Sequence, residues 1–157
     1  MSAAGRAFGL IVAVFAVLGV ALGASGYLAV DWARTQFVVA AGGATPGRFG
    51  PVFVALVAVQ TTVAQFLIGT AVAGLVGAMA GSRFAEVRTA GLVAAAGSAT
   101  GFYLMGVLAV LLLSLAGGPG TGQVYAPGQA LGPLLLAGVP AALAGGAGGV
   151  AGAALVR

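Results

Sequence analysis

A few charged residues divide the chain into long stretches that contain none. Arg6 and Asp31 bound AFGLIVAVFAVLGVALGASGYLAV (7–30), Arg48 and Arg83 bound a run that includes residues 51–80, and no charged residue lies between Arg88 and Arg157. A helix takes about 20 apolar residues to cross the hydrocarbon of a bilayer. The pattern therefore predicts four such helices, at about 7–30, 53–80, 90–115 and 131–156, with the turn-forming stretch AGGPGTGQVYAPGQ (116–129) dividing the last run. The connections are then 31–52, 81–89 and 116–130. In the first, Trp32 suits a headgroup zone, and Asp31 and Arg34 stand at i, i+3, where they can pair. Phe37–Ala41 is expected along the interface, and the Gly/Pro-rich end is expected to break any helix before Pro51. In the second, Gly81 is placed to end one helix and Ser82 to cap the next, with Arg83 and Glu86 as a surface pair. Tyr27 and Tyr125 join Trp32 as expected interface anchors.

Composition turns this pattern into a class. Of the 157 residues, 61% are hydrophobic and 5% charged, and the mean hydropathy is +1.18. A soluble domain carries about 25% charged residues, so the expected solvent is lipid. The reading is an all-α integral membrane protein, one domain over 1–157, built as a bundle of four transmembrane helices. The first apolar run is longer than the roughly 7–15 residues of a signal-peptide core, so it is expected to stay as a span. Arg6, Arg83, Arg88 and Arg157 would share one side of the membrane, and Arg34 and Arg48 the other. That bias places both termini and the 81–89 loop in the cytoplasm of a multi-pass cell-membrane protein.

Several chemistries are excluded. The chain has no Cys, no His and no Lys, and its two acids, Asp31 and Glu86, fall outside the apolar runs. Thiolate and imidazole metal sites, Schiff bases and proton relays through buried acids all lack their residues. No catalytic residue, metal site or cofactor is expected, and the dispersed arginines suit membrane flanks better than nucleic acid. The partner implied is the bilayer, together with a homo-oligomer or a larger membrane-protein complex.

Two patterns remain. The stretch AALAGGAGGVAGAAL (141–155) has no polar side chain to keep a linker solvated, and unpaired backbone in lipid is costly, so it is expected to be helical. Leu136, Leu143 and Val150 form its one strip of bulk. Gly138, Ala142, Gly145, Gly149 and Gly152 line the other side as a groove that admits a neighbouring backbone. Pro140 is expected to kink this helix. The spacings Gly19/Gly23, Gly77/Gly81 and Gly97/Gly101 suggest similar contacts elsewhere. In the second helix, Thr61, Thr62 and Gln65 form a polar cluster on a stripe of Ala58, Thr62, Gln65, Gly69 and Ala73, with Gln60 apart from it. Ser98, Thr100 and Tyr103 of the third helix are the expected hydrogen-bond partners. Similar segments at 23–30 and 97–110, and paired Gly–Gly and Gly–Pro elements in each half, suggest two tandem hairpins about an axis along the membrane normal. The expected function is a non-catalytic accessory or scaffold subunit associating through small-residue faces. The alternative is a small oligomeric channel or facilitator whose path is lined by Thr61, Thr62 and Gln65.

Overall fold

The computed structural model describes residues 2–39, 45–116 and 127–156. Four long helices make up nearly all of them: α1 (Ala3–Arg34), α2 (Thr45–Gly81), α3 (Val87–Ala116) and α4 (Pro127–Leu155). Each contains a segment long and apolar enough to cross a membrane. Residues 141–155 are helical throughout, as expected from their lack of polar side chains.

The helices exceed the apolar runs at most ends, for local reasons. Ser2 caps α1, its hydroxyl accepting from the Gly5 amide at 3.1 Å. Past Arg34 the chain continues as a π-helical turn, Thr35–Val39, so Phe37 extends the first helix, while Ala40 and Ala41 lie outside the described residues. From Thr45 to Pro51 the helix is unbroken, and the rest of the Gly/Pro-rich stretch, residues 40–44, lies outside the described residues. Helix α2 begins at Thr45, which puts Pro46 in the first turn, where a missing N–H is harmless, and Pro51 inside the helix. In the same way Pro127 begins α4, so residues 127–130 leave the expected loop. Ser82 does not cap α3. Its hydroxyl donates back to the Met79 carbonyl (2.9 Å), and a turn over residues 82–84 closes α2, with α3 starting at Val87. Tyr125 and the Gly–Gly pairs at 42–43 and 117–118 lie outside the described residues.

Helix α1 packs most extensively on α3, α4 lies against both α2 and α3, and α1 meets α2 over a smaller area. Helices α1 and α3 run parallel: Ile11 covers Gly97, Phe15 covers Gly101, Gly19 abuts Met105 and Gly23 abuts Ala109, so the numbering advances together. Helices α2 and α4 also run parallel, with Gly77 against Gly145 and Gly81 against Gly149. The core is centred on Ile11, Phe15, Ala73, Phe102, Met105 and Ala141. Phe66 stacks on Phe102 with ring centroids 6.0 Å apart. The outer surface is apolar too, with Val17, Leu28, Leu67, Leu75, Leu115 and Leu136 exposed.

The two-hairpin symmetry is not realised. An axis along the helices that exchanged α1 with α3 and α2 with α4 would give α1 and α4 the same contacts as α3 and α2. Helix α2 touches α3, whereas among the described residues α1 and α4 do not meet.

Candidate functional site

The groove foreseen on α4 is present and filled from within the chain. Gly138, Gly145, Gly149 and Gly152 are buried and Ala142 is half-buried, while Leu136, Leu143 and Val150 face outward. Two neighbours share it. Toward α3, Gly145 lies on the side chain of Ser98, Gly149 on the Ala90 carbonyl and the Ala94 methyl, and Gly138 under the ring of Tyr103. Toward α2, Gly152 meets the Ala78 carbonyl, and Gly77 and Gly81 press on the backbone of Gly145 and Gly149. Gly148, on the carbonyl of Gly74, was not singled out, although its i, i+4 spacing from Gly152 is a legible signal. The Gly19/Gly23, Gly77/Gly81 and Gly97/Gly101 pairs are all buried at helix contacts, again inside the chain.

The polar stripe on α2 is less of a cluster than its spacing suggests. The Thr61 hydroxyl donates to Val57 of its own helix at 2.8 Å, and its methyl packs on Gly26 of α1. Thr62 is half-buried. Gln65, Gly69 and Ala73 are buried, Gln60 is exposed, and the side chain of Ala58 lies outside the described residues. Gln65 is 3% exposed, and its amide nitrogen has no hydrogen-bond partner. The expected partners on α3 are elsewhere. Ser98 is fully buried with an unpartnered hydroxyl, but it lies beside Gly145, which abuts Gly77. Gly77 is three turns from Gln65, roughly 18 Å along the helix. Thr100 is exposed. Tyr103 donates to the Leu135 carbonyl of α4 at 3.1 Å, an α3–α4 contact that sequence reasoning assigned to the wrong helix.

Among the described residues the charged groups sit at or near the helix ends. Arg34 donates to Asp31 at 2.9 Å, the one ion pair among the described residues, and it forms as the i, i+3 spacing suggested. Arg83 and Glu86 do not pair; Glu86 accepts the Thr89 hydroxyl at 2.6 Å. Trp32 is exposed and meets Phe37 edge-on, and Phe37 in turn stacks on Phe53. Tyr27 is half-buried beside Val30 and Ala33. Among the described residues no three acidic, His or Cys side chains come together as a metal site would require. Comparison of the chain with models of known families, with curated proteins and with solved structures found no match.

Proposed function

We propose that the chain is a non-catalytic multi-pass membrane protein serving as an accessory or scaffold subunit of a larger membrane assembly. One observation carries this reading. The α2–α4 seam is closed by backbone on backbone at Gly77/Gly145 and Gly81/Gly149, and among the described residues the charged side chains stand at or near the helix ends, so the outer surface is what the molecule offers to others. Lipid then surrounds the exposed Leu and Val side chains, and the arginine-rich end, with the 82–86 turn, faces the cytoplasm. The α4 groove is already occupied, so association falls to small residues that remain outside. Gly9, with nothing near its absent Cβ, and Ala13 one turn on are exposed together on α1. Extraction in a mild detergent should recover the protein with a different polypeptide, and Gly9→Leu/Ala13→Leu should release that polypeptide. Recovery of the wild type as a free monomer would overturn the reading.

A second reading, a small oligomeric facilitator, draws on the unpartnered amide nitrogen of Gln65, one turn along α2 from Thr61 and Thr62. A buried donor without a partner is costly to keep and suits a passing solute that bears an acceptor. Purified protein in liposomes would then pass a small polar solute, and Gln65→Leu would abolish the flux. Equal flux in both proteins removes the stripe from any path.

A further inference from the structure

Gln60 belongs to the polar stretch of α2, yet neither the bundle nor a path through Gln65 uses it. It is exposed on the outward side of the helix, and no hydrogen bond ties its amide to the other described residues. Its depth follows from its neighbour. Thr61 packs on Gly26 of α1, five residues before Asp31, so Gln60 lies roughly 7 Å along the bundle from that charged end. Arg6 and Asp31, which bound the first apolar run, are about 37 Å apart along α1, against about 30 Å of hydrocarbon. The margin at each end is then about 4 Å, which puts Gln60 inside the apolar layer. An amide left without partners there is costly.

The side chains around it repeat at heptad spacing. Phe53, Leu56, Gln60, Val63 and Leu67 follow one another in steps of three and four, and helical geometry places all five within a sector of about 80°. All five are exposed. The outer face of α2 is thus a ridge of bulky side chains with one polar position at its centre.

We propose that this ridge is the interface with a second copy of the chain, α2 packing on α2 about a two-fold axis along the membrane normal, with the two Gln60 amides bonded to each other. The inference rests on the membrane reading above and is separate from the partner assigned to Gly9 and Ala13. Three features select the occupant. A primary amide carries both donors and an acceptor, so a second primary amide complements it. Two copies inserted the same way hold Gln60 at the same depth, and a two-fold axis sets a residue beside it opposite itself. The spacing is that of parallel helices packing knobs into holes, where a single polar residue in the seam fixes the register. A lipid acyl chain covers the four apolar side chains equally well but offers the amide no partner.

The test uses the full chain in lipid vesicles and exploits its lack of cysteine. On mild oxidation Leu56→Cys should give a disulfide-linked dimer, whereas Leu143→Cys, exposed on α4, should stay monomeric. Adding Gln60→Leu to Leu56→Cys should weaken dimerisation about ten-fold, read from the dilution in lipid that halves the cross-link. Gln60→Asn keeps an amide and should retain most of the dimer. Position 60 is exposed, so thermal midpoints of the diluted, monomeric variants should match the parent, which separates lost association from lost folding. Gly9→Leu/Ala13→Leu should leave the dimer intact, so failure of this proposal and failure of the accessory reading are distinguishable. Absence of the position 56 dimer, equal cross-linking at position 143, or a dimer indifferent to Gln60→Leu would each overturn the proposal. The same oxidation in native membranes, giving a link only to a different polypeptide, would do so as well. Recovery of the chain in the aqueous fraction of lysed cells would instead overturn the membrane reading.

Discussion

Gly74 and Gly77 lie one turn apart on α2, yet a methyl group would meet different surroundings at each. At Gly74 the nearest atom is the Ala144 carbonyl oxygen at 3.8 Å, an ordinary contact, whereas at Gly77 it is the Gly145 carbonyl, far inside contact distance. Backbone cannot swing aside as a side chain can. Gly77→Ala should therefore destabilise by about 1–3 kcal/mol, while Gly74→Ala should be neutral or gain roughly 0.5–1 kcal/mol from helix propensity. Thermal midpoints in detergent compare the two directly. On α4 the same logic sets Gly145→Leu, which would drive a side chain into Ser98 and the Ala94 carbonyl, against Leu143→Val on the exposed strip. The first should prevent the native fold and the second should be nearly silent. Positions 143 and 145 were separable in the sequence because helical geometry puts them on opposite sides. The missing partner of the Gln65 amide nitrogen was not, since residue spacing within α2 carries no information about what α3 places opposite it.

Among the elements, α4 is tied to α3 by a long-range hydrogen bond as well as by its glycines. The hydroxyl of Tyr103 reaches the Leu135 carbonyl in the turn before Pro140, and its ring covers Gly138. Tyr103→Phe keeps the ring and removes the bond, so the expected loss is about 0.6 kcal/mol, the average for such bonds between membrane helices. Tyr103→Ala should lose several times as much by uncovering Gly138. The interiors of all four helices were legible as apolar runs between charges. Their ends were not. Pro46 and Pro127 read as breakers in isolation, but each stands in the first turn, where proline suits a helix as well as a loop. Ser82 carried a genuine capping signal, and its hydroxyl serves the helix before it instead of the one after it.

For the whole molecule, topology can be tested cleanly because the chain contains no cysteine. Ser82→Cys and Thr35→Cys place a single thiol at exposed positions on opposite ends of the bundle. If the arginine-rich end faces the cytoplasm, an impermeant maleimide added to intact cells should label position 35 and spare position 82. The reverse result would invert the molecule. Which helices neighbour which could not be read beforehand: Gly19/Gly23 and Gly97/Gly101 are marked as contact faces by spacing, but nothing in either pair names the other. Pairing α1 with α3 and α2 with α4 has a further consequence for how the protein comes into being. Each helix made early finds its main companion only two helices later, so the first half of the chain, when it leaves the ribosome, has little to hold its members to one another. Gly77 and Gly81 of α2 stay uncovered until the last segment arrives, and a chain cut short before residue 127 would expose them to whatever else shares its surroundings.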